Sequence, residues 1–190
     1  MMSNKNSAQF ILRVNQLDQP LGLIEKYEAH RNGILHRAFS VFLFRRLNSS
    51  LQLLLHQRTQ EKYHSGGLWT NTCCSHAKKA TPLENQAKNR LKIEMGFSCK
   101  LYHAGLFYYK ENVGNEMIEH EIDHVFVGLH NPRFIRPNPQ EVQNYKWIDV
   151  EALQSLSQEE QKKFTAWFFQ AFELALKSIK TMSTLNKSYF

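Results

Sequence analysis

The segment from Trp69 to His76 constrains the fold of this chain more strongly than its other stretches do. It reads Trp-Thr-Asn-Thr-Cys-Cys-Ser-His and follows a predicted turn at residues 65–67. Side chains alternate along a β-strand, so an extended conformation places Cys74 and His76 on one face and Cys73 on the other. A thiol beside an imidazole suits a functional pocket. The segment also suits a buried strand whose cysteines only pack, because free cysteine is often a core residue.

Length and composition indicate a single globular domain. The chain has 190 residues, of which 42% are hydrophobic and 22% charged, so it can build a full core. We expect one domain over residues 1–190, with loose termini at about 1–9 and 181–190. Three cysteines make a poor disulfide framework and favour a reducing compartment.

No targeting or membrane segment is evident in the sequence. Residues 1–6 lack the apolar region of a secretory signal. The most apolar run, residues 38–44, is too short to span a bilayer. We therefore predict a cytoplasmic protein that does not associate with membranes.

The net charge of +7 leaves three kinds of partner open. It suits a solvated basic surface, a nucleic-acid-binding protein, or a small anionic substrate held by a few convergent cations. The lysines and arginines are scattered and form no nucleic-acid motif, which argues against the second. Composition alone does not choose between the other two.

Periodicity predicts a mixed α/β domain (α+β), in which helices flank a mixed or largely antiparallel sheet. Thr81 as cap, Pro82 as first helical residue and Glu84 as capping-box partner predict a helix that ends at Gly96. Ser157 predicts the start of a final helix whose apolar stripe runs from about residue 164 to 179. The predicted strands are residues 10–14, 21–26, 36–44, 51–58, 69–76, 101–109, 118–128 and 145–150.

The strand, helix and strand around residues 69–109 resemble a Nudix motif, G-x5-E-x7-R-E-U-x-E-E-x-G-U, where U is apolar. With Gly96 on the last glycine of the motif, its R-E-U-x-E-E core falls on Asn89 to Glu94. Only Glu94, Gly96 and the apolar positions match. Nudix hydrolases hold several Mg²⁺ ions with their carboxylate cluster, so the resemblance implies a Nudix-like scaffold without that hydrolytic chemistry.

Several motifs in order resemble the type I isopentenyl-diphosphate isomerases, over about residues 19–172. The chain departs from that family at Gly66-Gly67, where a Pro-Gly turn is usual, and at Ala77, where a proline is usual. The matching motifs are Glu25 to His30, Leu35 to Ser40, Trp69 to His76, Glu119 to Glu121, Asn138 to Val142 and Tyr145 to Trp147.

This resemblance implies reversible conversion of isopentenyl diphosphate to dimethylallyl diphosphate, in isoprenoid biosynthesis. Mg²⁺, bridged by Glu94, would help to bind the diphosphate, and a second divalent ion (Mg²⁺, Mn²⁺ or Zn²⁺) would occupy a histidine and glutamate site. The implied diphosphate ligands are Lys26, Arg58, Lys62 and Arg90. The implied ligands of the second ion are His30, His36, His76, Glu119 and Glu121.

The same resemblance implies the catalytic residues. Cys74 would transfer a proton on one side of the substrate and Glu121 with Tyr109 on the other, while the Trp167 ring stabilises a carbocation. From the helical stripe alone, Trp167 is a core residue. In a strand His120 faces away from Glu119 and Glu121, and it has no implied role. No role is implied either for His56, His64, His103, His124 and His130.

Two other functions remain open from the sequence. One is a Nudix pyrophosphohydrolase on the same fold, and the other is a basic binding module without catalysis. For the isomerase we expect a small diphosphate substrate, no nucleic-acid partner and a monomer.

Overall fold

The computed structural model describes residues 9–79 and 81–187, with side chains up to residue 182. These residues form one sheet of nine strands and five helices. The strands are β1 (Phe10–Val14), β2 (Pro20–Glu25), β3 (His36–Leu47), β4 (Ser50–Arg58), β5 (Trp69–Thr70), β6 (Cys73–His76), β7 (Tyr102–Asn112), β8 (Ile118–Leu129) and β9 (Val142–Asp149). The helices are α1 (Lys26–Arg31), α2 (Leu83–Met95), α3 (Val150–Gln154), α4 (Gln158–Gln161) and α5 (Phe168–Lys187).

Strand β3 organises the sheet, which is mixed as predicted. It pairs in parallel with β8 from His36 to Phe44, and antiparallel with β6, β4 and the end of β1. Strand β7 pairs antiparallel with β8, and β9 and β5 pair with β4. Strands β1 and β2 pair antiparallel as a hairpin.

One face of β3 changes from polar to apolar along the strand. His36 and Ser40 lie at its start, and Phe42 and Phe44 follow on the same face. Strand β8 repeats this change, because Glu119, Glu121 and Asp123 precede Val125 and Val127. The two strands run in parallel and in register, so their polar halves lie side by side. This face therefore carries both a polar site and an apolar core.

Helices cover the two faces of the sheet. On the apolar half of the polar-to-apolar face, α5 packs through buried residues such as Phe168, Ala171 and Phe172. On the opposite face, Ala87, Leu91 and Met95 of α2 pack against buried side chains of β3 and β8. Within the described residues, no helix has the length and apolar character needed to cross a membrane.

Helix α2 ends as predicted but begins differently. Gly96 terminates it at φ 81°, a left-handed conformation that glycine adopts without steric cost. The predicted capping box is wrong: Pro82 is the N-cap and no side chain caps the helix. The Thr81 hydroxyl instead accepts a hydrogen bond from Gln86 at 3.3 Å, and Glu84 pairs with Lys88.

The predicted final helix is two helices. Ser157 caps the short α4 through a capping box with Glu160, and α5 begins only at Phe168. The turn between them carries Trp167, which is therefore not on a helix. Residues 181–187 of the predicted loose tail belong to α5, and residues 1–8 and 188–190 lie outside the described residues.

Candidate active site

A pocket of about 590 Å³, including space open to solvent, lies over the polar half of the sheet. It brings together most of the predicted site residues, although they come from distant parts of the chain. His30 and His36 do not line it but lie fully buried behind it. The predicted residues in its wall are Lys26, Arg58, Lys62, Cys74, His76, Arg90, Glu94, Tyr109, Glu119, Glu121 and Trp167.

The adjacent cysteines separate as strand alternation predicts. Cys73 is fully buried among the apolar residues under α2, while Cys74 faces the pocket. His76 shares the pocket face with Cys74. Burial raises the pKa of the Cys74 thiol to about 12, although Arg58 opposes the shift. The thiol is therefore protonated at neutral pH.

Three histidines and a glutamate converge beside this thiol. One side-chain donor atom from each of His30, His36, His76 and Glu119 lies within 4.8 Å of the others. Glu121 joins them, with its Oε1 atom 3.0 Å from the Nε2 atom of His76 and 3.3 Å from that of His36. All five residues are buried or nearly so.

The orientation of two imidazole rings fits a bound cation. The Nδ1 atoms of His30 and His36 donate to the backbone carbonyls of Lys26 and Ile34, at 2.6 and 2.8 Å. These bonds fix the tautomer and leave both Nε2 atoms as electron-pair donors, as in known metal sites. The Nε2 atom of His36 and the Oε2 atom of Glu119 are buried without a hydrogen-bond partner. This mixed imidazole and carboxylate set fits a divalent cation.

The carboxylates control the charge state of the cluster. Burial alone would lower the pKa of His36, but with no cation between them the nearby carboxylates of Glu119 and Glu121 raise it to about 10. Burial would raise the pKa of Glu119, but the histidines around it hold that pKa well below its usual value. The two glutamates are therefore ionised and available as ligands.

Tyr109 lies against Glu121 on the neighbouring strand. Its hydroxyl donates a hydrogen bond of 2.5 Å to the Oε2 atom of Glu121. Burial and the adjacent carboxylate raise the pKa of Tyr109 well above its usual value. The phenol is therefore protonated, and its proton points at the carboxylate.

One end of the pocket is cationic. Lys26, Arg58, Lys62 and Arg90 line it together with Glu94. Burial and the nearby charges of Lys62 and Arg90 lower the pKa of Lys26 to about 8. Arg90 donates to the Oε1 atom of Glu94 at 2.5 Å, which places Glu94 within the cationic end. Such a set of convergent cations suits a phosphate anion.

Comparisons with known proteins identify the family. The model of the NUDIX domain matches residues 34–168, and a protein from Burkholderia multivorans named isopentenyl-diphosphate Delta-isomerase is 42% identical over 165 residues, covering 87% of this chain and 92% of that protein. The chain belongs to the isopentenyl-diphosphate Delta-isomerase family. A Photobacterium profundum member of this family is 40% identical over 173 residues, covering 90% of this chain and 96% of its own length.

Solved structures confirm the fold of this family member. DR0079 from Deinococcus radiodurans superposes with a TM-score of 0.61 at 15% identity, covering 76% of this chain and 86% of its own. The MutT protein from Methanosarcina mazei gives a TM-score of 0.60 at 16% identity, covering 77% and 96%. At this identity the likeness shows the fold alone. The predicted Nudix-like architecture and the predicted family are both confirmed.

The two departures from the usual isopentenyl-diphosphate isomerase motifs have local structural reasons. A Cβ atom at Gly66 would lie 2.6 Å from the backbone oxygen of Gln60, so the usual proline would clash there. The backbone N–H of Ala77 donates to the carbonyl of Arg37 at 2.9 Å. Proline has no N–H and could not make that bond. Both substitutions therefore fit the backbone of this family member.

Sequence reasoning missed several pocket residues. Glu141 accepts from Arg90 at 2.8 Å and also pairs with Lys62, so it joins two of the predicted diphosphate ligands. Glu141 lies inside one of the matching family motifs, Asn138 to Val142, and that motif could have indicated it as a site residue. His64 contacts Glu119, and no pattern in the sequence indicated that contact.

Proposed function

We propose that this pocket converts isopentenyl diphosphate reversibly to dimethylallyl diphosphate, the reaction of its family, through a tertiary carbocation. A proton adds to the terminal methylene of the alkene, leaving positive charge on the branched carbon. A second proton then leaves the methylene on the diphosphate side, so one proton enters and one departs. Two proton-transfer groups at different positions around the substrate are required.

The observation that carries this proposal is the arrangement of Cys74 and the Tyr109–Glu121 pair around one pocket. The thiol and the phenol are both protonated, and the carboxylate accepts the phenol proton's hydrogen bond. We assign Cys74 to proton transfer on one side of the substrate and Tyr109 with Glu121 to the other. General acid–base catalysis requires such groups within hydrogen-bonding reach of the reacting atoms.

The histidine and glutamate cluster supports the acidity of the second side. In this proposal His30, His36, His76, Glu119 and Glu121 hold a divalent ion. When bound, the ion supplies positive charge that makes the neighbouring Tyr109–Glu121 pair a stronger acid. Of the five residues, Glu121 alone reaches both the cluster and the phenol.

The cationic end holds the diphosphate in this proposal. Lys26, Arg58, Lys62 and Arg90 would neutralise its charge, and Glu94 would help to hold the Mg²⁺ that accompanies the diphosphate. Glu141 forms ion pairs with Lys62 and Arg90 in the described structure. An arriving diphosphate therefore replaces a carboxylate, and the two cations need no large movement to meet it.

Trp167 contributes both packing and an aromatic face. It is 4% exposed, belongs to the core under α5 and lines the pocket. Its Nε1–H group donates to Asn71 at 3.2 Å, which fixes the ring. The indole face can stabilise a carbocation without attacking it, as water would. Such an interaction exists mainly in the transition state, so its loss lowers kcat more than it changes KM.

We expect Trp167→Leu to lower kcat by about 30-fold or more, because a desolvated cation–π contact is worth ~2 kcal/mol and each ~1.4 kcal/mol is tenfold in rate. Trp167→Phe keeps a weaker aromatic face and should be milder. Measurement of kcat, KM and melting temperature for both variants tests this. Normal kcat in folded Trp167→Leu would contradict stabilisation of the carbocation by Trp167 and leave it a packing role alone.

A product assay separates isomerase from hydrolase. Glu94 is the one glutamate retained in the Nudix core, and the other acidic positions carry Arg90 and a half-exposed Ile93. With isopentenyl diphosphate and Mg²⁺ we expect dimethylallyl diphosphate and no inorganic phosphate. Hydrolysis of a nucleoside diphosphate compound at an ordinary enzyme rate, on the order of 10 per second, would contradict the proposal. The absence of any product would instead favour a binding module.

We also propose that the chain acts as one domain and as a monomer in the cytoplasm. The continuous sheet supports one domain. Cys73, Cys74 and Cys99 are free thiols, which suits a reducing compartment. Light scattering during size-exclusion chromatography tests the oligomeric state. A nucleic-acid partner is not part of the proposal, since the convergent cations lie inside a pocket of small-molecule size.

A further inference from the structure

His64 lies against the metal cluster but has no role in the reaction described above. Its side chain is 2% exposed, and its Nε2 atom lies 3.0 Å from the Oε1 atom of Glu119. Its Nδ1 atom lies 3.1 Å from the hydroxyl of Ser65, which can donate to it. In this arrangement Nε2 carries the proton and donates it to the glutamate.

The two oxygens of Glu119 have different surroundings. Oε1 is bonded by His64, whereas Oε2 has no hydrogen-bond partner. Oε2 lies 3.1, 3.7 and 3.9 Å from the Nε2 atoms of His30, His36 and His76. A buried carboxylate oxygen without a partner is costly, so its orientation needs a cause. The hydrogen bond from His64 supplies that cause, because it fixes the carboxylate plane from the Oε1 side.

The backbone around His64 is itself held in place. Arg58 donates from its guanidinium to the carbonyl of His64 at 3.2 Å and to that of Ser65 at 3.1 Å. The His64 ring stacks on His30, with centroids 5.7 Å apart, and meets Trp167 edge-on at 6.3 Å. Packing and hydrogen bonds therefore leave the imidazole little freedom to turn away from Glu119.

We propose that His64 is a positioning residue that directs the Oε2 atom of Glu119 toward the divalent ion. It acts through Glu119 and does not touch the substrate. The inference rests on the proposed metal site, and it adds a residue outside the predicted ligand set. Hydrogen-bond partners of metal ligands typically change metal affinity by about 10–100-fold when they are removed.

A pair of amide substitutions tests this role. The side-chain nitrogen of His64→Gln lies near the position of Nε2 and can still donate to Glu119. That of His64→Asn is one methylene shorter, lies near Nδ1 and cannot reach. We expect the dissociation constant for Co²⁺, titrated into metal-free protein without substrate, to rise about 10–100-fold in His64→Asn and to change little in His64→Gln.

The control is His130→Leu, an exposed histidine outside the pocket, which should bind Co²⁺ normally. Equal losses in both amide variants would make His64 a ligand or a packing residue and overturn the proposal. Equal retention would overturn it as well. If His64→Asn does not fold, Ser65→Ala replaces it, and unchanged Co²⁺ affinity there would contradict the proposal. Because metal binding is measured without turnover, failure of the isomerase mechanism is a separate result.

Discussion

Cys74→Ala should lose about 10²- to 10⁴-fold in kcat, the usual contribution of a general acid or base, whereas Cys73→Ala should keep most of the activity. Cys74 faces the pocket as a protonated thiol, and alanine can neither give nor accept its proton. Cys73 packs under α2 on the other face of the same strand, and burial keeps its pKa well above the usual value.

The two variants should be measured for kcat, KM and melting temperature. Cys73→Ala removes a buried sulfur atom from a packed core, so we expect lower thermal stability with near-normal turnover. Cys74→Ala should instead lose turnover and keep a near-normal melting temperature. Equal loss of turnover in both variants, with folding intact, would contradict the assignment of the Cys74 face of β6 to the pocket.

Local rules predicted the parts of this site that lie close together in sequence. Strand alternation correctly separated Cys73 from Cys74. It also predicted that Glu119 and Glu121 share one face of their strand, which is the face that lines the pocket, while His120 lies on the other and contacts Tyr108. Gly96 correctly ended α2, because an αL C-cap needs few contacts beyond its own backbone.

Other features depend on contacts between distant segments. Thr81 does not cap α2, because Gln86 bonds its hydroxyl and Pro82 takes the N-cap position. Trp167 lies on an apparent helical stripe, yet residues 162–167 form a non-helical connection between α4 and α5. The bond between His64 and Glu119 joins residues 55 positions apart. Periodicity carries no information about such a bond.

Resemblance to the family located the pocket more completely than residue patterns did. His30 lies on the short helix α1, which no pattern predicted, and His36 begins β3. Nothing in their spacing indicates that their rings lie 4.9 Å apart. The motifs carried that information because they come from one folded arrangement. Glu141 shows the limit, since its motif matched but its contacts with Arg90 and Lys62 were not implied.

Removal of the divalent ion should abolish isomerisation, and addition of a divalent ion should restore it. His76→Ala should lower the bound metal, and Glu121→Gln should lower metal content or destroy turnover. His76 and Glu121 lie 3.0 Å apart within the cluster, and Glu121 also accepts from Tyr109. Elemental analysis and turnover, measured on the same samples, test these expectations.

Thermal unfolding should respond to the same ion. An ion that binds the folded state alone stabilises it by about 2.7 kcal/mol at a concentration 100 times its dissociation constant. His76→Ala should lose most of that increase, whereas Glu111→Gln, an exposed carboxylate on β7, should keep it. His30 and His36 are oriented by hydrogen bonds that they donate to backbone carbonyls and that need no metal, so the metal-free protein should remain folded. Undiminished isomerisation by protein whose metal content is confirmed as zero would rule out this site.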